Sequence, residues 1–129
     1  MLHNIDQRSR YILGGCVEDV WTGVSALLGL VPELTGHLGY LGISLGGGIG
    51  AMALAWDERI AWGHLNVPSF GDQPRRLVLP STGSAAAVQR YARTAGQVLE
   101  TLAYYDSAVA ARHIRQPMHV AAARFDPAL

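Results

Sequence analysis

Apolar residues recur at helical spacing at Val17, Val20, Trp21, Val24, Leu27 and Leu28, with Glu18, Asp19, Thr22 and Ser25 between them, which predicts an amphipathic helix. Glu18 and Asp19 fall in its first turn, where the helix dipole favours acids, and Pro32 and Thr35-Gly36 close it. The pattern then changes. Leu38-Gly39-Tyr40-Leu41-Gly42-Ile43 is a short apolar run, 46–55 a helix of small residues, and 59–67 a second strand stopped at Pro68. Turn formers dominate 69–83, helical spacing returns over 85–91, 97–102 and 106–114, and 118–125 is a third apolar strand behind Gln116-Pro117. Helix and strand in alternation predict an α/β fold with a parallel sheet. Continuous apolar runs, rather than alternating ones, predict that helices cover both of its faces.

Composition narrows the classes. Of 129 residues 50% are hydrophobic and 16% charged, so the chain is apolar enough to collapse around a core. Ten arginines balance ten acids without a single lysine, and this neutral balance predicts no nucleic-acid partner and no anionic membrane surface. The one cysteine, Cys16, excludes a disulfide framework and a cysteine-rich zinc site, and the histidines lack ligand spacing, so no metal and no cofactor is expected. No basic start leads into an apolar run at the amino terminus, which reads as a cytoplasmic protein without a signal peptide. The uncharged stretch Leu34–Trp56 has the length of a membrane span, but its interior glycines and unflanked ends predict a strand, a turn and a buried helix instead.

The chemistry is expected at Gly42-Ile43-Ser44-Leu45-Gly46. G-x-S-x-G between a strand and a helix is the pattern of a nucleophile elbow, which projects the serine hydroxyl above the carboxyl edge of a sheet. Gly42 and Gly46 would permit the tight fold, and the Leu45 N–H would donate to an oxyanion. The same glycines also admit a plain strand–helix contact with Ser44 as helix cap. They further imitate a dinucleotide fingerprint in Gly46-x-Gly48-x-x-Ala51, for which the acid about twenty residues on is missing, Asn66 standing there instead. A serine nucleophile needs a base and an acid. Asp126, directly beyond the third strand, is the candidate acid. All five histidines (His3, His37, His64, His113 and His119) precede it, and His119, inside an apolar strand, reads as a core residue.

Thr101-Leu102-Ala103-Tyr104-Tyr105-Asp106, then Ala110-Ala111-Arg112-His113-Ile114, Pro117 and a strand ending in Asp126, resembles the acetyl xylan esterase and cephalosporin C deacetylase family. The resemblance extends upstream to Glu18-Asp19-Val20, Ser44-Leu45-Gly46-Gly47-Gly48 and Asn66-Val67-Pro68, and so spans nearly the whole chain in order. It implies an α/β-hydrolase that removes acetyl groups from acetylated sugars, with Ser44 as nucleophile, Leu45 N–H as one oxyanion donor and Asp126 as the acid. It also implies assembly into a homo-oligomer. The family carries glutamine where this chain has Leu45 and asparagine where it has Val109. It also has strands before Cys16 and a histidine beyond the acid. The expectation is therefore that residues 1–129 form the central part of a single hydrolase domain: an elbow at 42–46, a helical excursion at about 69–114, and an acid-bearing strand at 118–126. N-terminal strands and a C-terminal strand and helix would be missing. Such a chain, without the histidine, is expected to be inactive alone, and a catalytically incomplete module serving assembly or binding is the alternative.

Overall fold

A computed structural model describes residues 1–126; the Asp126-Pro127 turn expected from the sequence lies partly outside the described residues. Three strands, β1 (Gly39–Ile43), β2 (Trp62–Asn66) and β3 (Met118–Ala121), pair in parallel in the order β1-β2-β3. Their crossovers carry the helices: α1 (Ile12–Leu30) precedes the sheet, α2 (Leu45–Leu54) joins β1 to β2, and α3 (Gln73–Arg76), α4 (Gly83–Ala92), α5 (Val98–Tyr104) and α6 (Ser107–Ala110) join β2 to β3. A parallel α/β arrangement is what the alternating pattern predicts. Leu34–Trp56 resolves into a strand, a turn and a ten-residue helix, as its glycines require. The 19-residue α1, with mean hydropathy 1.2, is long and apolar enough to cross a membrane by length and composition, yet Glu18 and Asp19 lie within it.

α2 is apolar on every side because it is enclosed on every side. Ala51 and Leu54 join Ile60 and Leu65 against the sheet, while Ile49, Met52 and Ala53 join Leu13 and Val17 of α1, Phe70, and Val98 and Leu102 of α5. The Trp21 indole N–H donates to the Ala53 carbonyl at 3.1 Å, fixing α1 on α2. Arg59 ties the other end. Its guanidinium holds both Asp57 carboxylate oxygens (2.8 and 2.6 Å), the Ser25 hydroxyl (2.7 Å) and the Trp21 carbonyl (3.2 Å). That charge-assisted contact holds the Asp57 carboxyl below the usual carboxylate range.

Two expectations are corrected. The helices do not cover both faces of the sheet. Tyr40, Gly63, Leu65 and Met118 face α1 and α2, whereas Leu41 (67% exposed), Ile43 (58%) and Trp62 (49%) stand in solvent on the other face. The helical excursion stacks on the far side of α1 and α2 instead, which buries α2 but leaves the second sheet face open. The third strand also ends at Ala121 rather than at residue 125. Its last rung is the Val67 N–H to the Ala121 carbonyl (2.7 Å), and Val67, at φ 44°, turns β2's chain away, so residues 122–125 have no strand to pair with.

Candidate active site

Ser44 occupies the single residue between β1 and α2, at φ 51° and ψ −110°. An L-residue there brings Cβ against its own backbone, a conformation that persists only where the surroundings enforce it. Three backbone hydrogen bonds do so. The Ser44 N–H donates to the Asn66 carbonyl (2.9 Å), and the Ser44 carbonyl accepts the N–H groups of Gly48 (3.0 Å) and Ser69 (3.1 Å). The side chain is exposed at the carboxyl edge of the sheet, so Ser44 is neither inside a regular helix nor buried in the core.

The glycines divide the work differently from expectation. A Cβ on Gly42 would strike the Gly46 carbonyl oxygen, with the Gly46 carbonyl carbon at 2.6 Å and the Tyr40 ring at 2.7 Å. A Cβ on Gly46 would meet nothing nearer than the Tyr40 hydroxyl at 4.0 Å, so its own position does not demand glycine. The demanding neighbours are Gly47, against Pro68 Cα at 2.9 Å, and Gly48, against the Ser69 carbonyl. Tyr40 holds the assembly from below: its hydroxyl donates to the Gly46 carbonyl at 2.7 Å, and burial pushes its phenol above the usual value.

Leu45 is the first residue of α2, so its N–H has no acceptor inside the helix and points out of the positive end of the helix dipole beside Ser44. The Ser44 hydroxyl approaches that of Ser69, with Oγ atoms 3.5 Å apart, at the outer limit of hydrogen bonding. Ser69 lies in a loop with three non-glycine residues at positive φ: Val67 (44°), Phe70 (70°) and Asp72 (51°). Val67, being β-branched, is the costliest.

That loop is held by a residue whose role sequence reasoning missed. The Asp106 carboxylate, 3% exposed, accepts the N–H groups of Asp72 (3.0 Å), Gln73 (2.7 Å), Ala108 (2.8 Å) and Val109 (3.2 Å). It caps α6 and clasps the loop at once. Next to it, the Ser107 hydroxyl donates to the Ser69 carbonyl (2.8 Å), and the Ser107 N–H donates to the Phe70 carbonyl (2.9 Å). The readable signal was an Asp-Ser pair opening a helix, which predicts a cap but not the second customer.

β3 ends at the same sheet edge as β1, because both run parallel to β2, and Asp126 follows its last residue by five positions. Among the described residues, no imidazole is hydrogen-bonded to Ser44. His64 and His119 face each other across β2 and β3, His113 lies on Trp56, and His3 and His37 are exposed elsewhere. His119, expected in the core, is exposed. The fingerprint-like Gly46–Ala51 lies wholly within α2, with residues 68–70 packed onto Gly47 and Gly48 where a pyrophosphate would have to approach. Among the described residues, no group of three or more metal-ligating side chains forms.

No protein-family model matches the chain, and no curated protein matches it.

Proposed function

We propose that this chain carries the nucleophile of a serine ester hydrolase acting on small acetyl esters such as acetylated sugars. The observation that carries the reading is Ser44 itself: a non-glycine residue at φ 51° on a strand-to-helix turn, its carbonyl locked by two N–H donors and its hydroxyl left in the open. Strained residues of this kind cluster around groups that a fold positions for reaction, and Val67, Phe70 and Asp72 surround this one. In the proposed reaction the Ser44 oxygen attacks the ester carbonyl, the Leu45 N–H and the α2 terminus stabilise the oxyanion, the alcohol leaves, and water releases acetate from the acyl-serine. Asp126 would orient the base from the same sheet edge. The base is an imidazole that the described residues do not bring to Ser44, so the proposal includes its supply from outside them.

The test is hydrolysis of p-nitrophenyl acetate and of acetylated xylo-oligosaccharides by the longest natural polypeptide carrying these residues. Ser44→Ala should lower turnover by about 10⁴-fold or more. Residual activity near wild type would end the reading. For the 129-residue chain alone the expected rate is background. Hydrolysis lost on substituting one of the five histidines would show the base to lie within it.

The open sheet face, with Leu41, Ile43 and Trp62 exposed, favours a second reading as a non-catalytic assembly module. Concentration-dependent self-association together with an inert Ser44 in the longest polypeptide would support it.

A further inference from the structure

On the open face of the sheet, away from Ser44, two histidines converge. His64 of β2 and His119 of β3 are register partners, so their side chains leave the sheet on the same side at adjacent positions. Their rings are inclined by only 25° with centroids 4.6 Å apart, and the two Nδ1 atoms approach to 2.8 Å. His64 is half-buried and His119 exposed. Two nitrogens this close leave room for one proton between them and no more. Each ring thus offers a lone pair toward the same small volume whenever that proton is absent.

Such a volume suits a metal ion. Two imidazole nitrogens bound at about 2.0–2.1 Å in cis positions, 90° apart, are separated by about 2.9 Å, close to the spacing already present. The imidazole χ2 torsion is soft, so the rings can rotate to bring both lone pairs toward one ion. Imidazole donors select late first-row divalent ions over calcium or magnesium, which ask for oxygen. The neighbouring register positions on this face, Leu41, Trp62 and Asn66, carry no cation to repel one.

We propose that His64 and His119 form a two-histidine chelate for a late first-row divalent transition-metal ion, with water completing its coordination. Nothing in this assignment depends on Ser44 being a nucleophile. It adds an open-sided metal site to the sheet face that the helices leave bare, where coordination positions remain for an exogenous ligand.

The experiment is calorimetric titration of the 129-residue chain carrying His3→Gln, which removes the competing nickel and copper site formed by the amino terminus and His3, with NiCl2, repeated with CuCl2 and MgCl2. The expected result is one saturable site for nickel, tighter for copper, and none for magnesium. In this background His64→Gln and His119→Gln should each weaken nickel binding about tenfold or more, since even outer-shell changes cost that much. His37→Gln should leave it unchanged. Nickel should also raise the melting temperature of the His3→Gln chain but not that of either pair variant. His119 lies on the edge strand, so its variant reports even if the His64 variant folds poorly. Absence of saturable nickel binding, equal competition by magnesium, or nickel affinity unchanged in either pair variant would overturn the proposal.

Discussion

The backbone N–H of Ser69 donates to the carbonyl of Ser44 at 3.1 Å, so the strand-to-helix turn and the loop after β2 hold each other in place. Gly48 takes the other side of the same carbonyl at 3.0 Å, and Asn66 receives the Ser44 N–H. The direction of the serine hydroxyl therefore depends on residues 66–72, which are in turn fastened to the start of α6. Local strain at Ser44, Val67, Phe70 and Asp72 is sustained by that chain of fastenings rather than by any one element.

The last fastening is the Asp106 carboxylate, which serves four N–H groups from two segments. Asp106→Ala leaves those donors without their acceptor at a site only 3% exposed, and should destabilise the chain by about 2–4 kcal/mol. Asp106→Asn keeps one acceptor oxygen and should cost about half as much. Urea unfolding gives both values, and amide exchange should accelerate at Asp72 and Gln73. A loss under about 0.5 kcal/mol for the alanine variant would mean that the loop is held elsewhere.

Glycines only four positions apart should answer alanine in opposite ways. Gly42→Ala drives a methyl into the Gly46 carbonyl, backbone that cannot yield without moving α2, and should cost about 3 kcal/mol or more. Gly46→Ala places its methyl in open space in the first turn of α2 and should be neutral or stabilise by up to about 1 kcal/mol. Thermal melts of the two single variants decide it, and equal losses would contradict the geometry.

The three strands and the longer helices are legible in the apolar runs because length and Gly or Pro punctuation separate them. What the runs do not reveal is where the helices go. Leu41, Ile43 and Trp62 read as residues buried under a second helical layer, yet α3–α6 pack over α1 and α2, a choice made by tertiary contacts among Val98, Leu102 and Met52. At the site, the turn at Ser44 is legible in Gly42 of G-x-S-x-G, whose place no side chain can take, whereas the Gly46 position admits one. The positive φ of Val67 had no sequence signal, because β-branched residues ordinarily avoid it. The His64–His119 pair is equally silent, as it depends on register between residues 55 apart in the chain.

Tyr11 gives the fold an alkaline limit. Burial in the core beside Tyr105 pushes its phenol up to about 12, with Arg76 opposing the shift. An unfolded tyrosine ionises near pH 10, so between about 10 and 12 the folded chain holds a proton that the unfolded chain has lost. Stability from this group is complete below about pH 10 and falls as pH rises through that window. Tyr11→Phe removes the titrating group while keeping the ring. Urea midpoints at about pH 9 and about pH 11 should therefore fall less in the variant than in wild type. A fall of the same size in both would assign the alkaline loss to other groups.

Ser44 itself should separate stability from chemistry. At φ 51° and ψ −110° any residue with a Cβ bears a strain of about 1–3 kcal/mol, which glycine escapes. Glycine gives back about 0.5–1 kcal/mol through the greater freedom of the unfolded chain. Ser44→Ala keeps the strain and loses the hydroxyl, whereas Ser44→Gly loses both. The glycine variant should therefore be the more stable of the two by about 1 kcal/mol, and it should melt at or above wild type. Neither variant should form a covalent adduct with a fluorophosphonate probe in the longest polypeptide, where wild type should be labelled at Ser44. If Ser44→Ala proves at least as stable as Ser44→Gly, the turn is not strained. In that case the serine's conformation ceases to be a reason for assigning it a reaction.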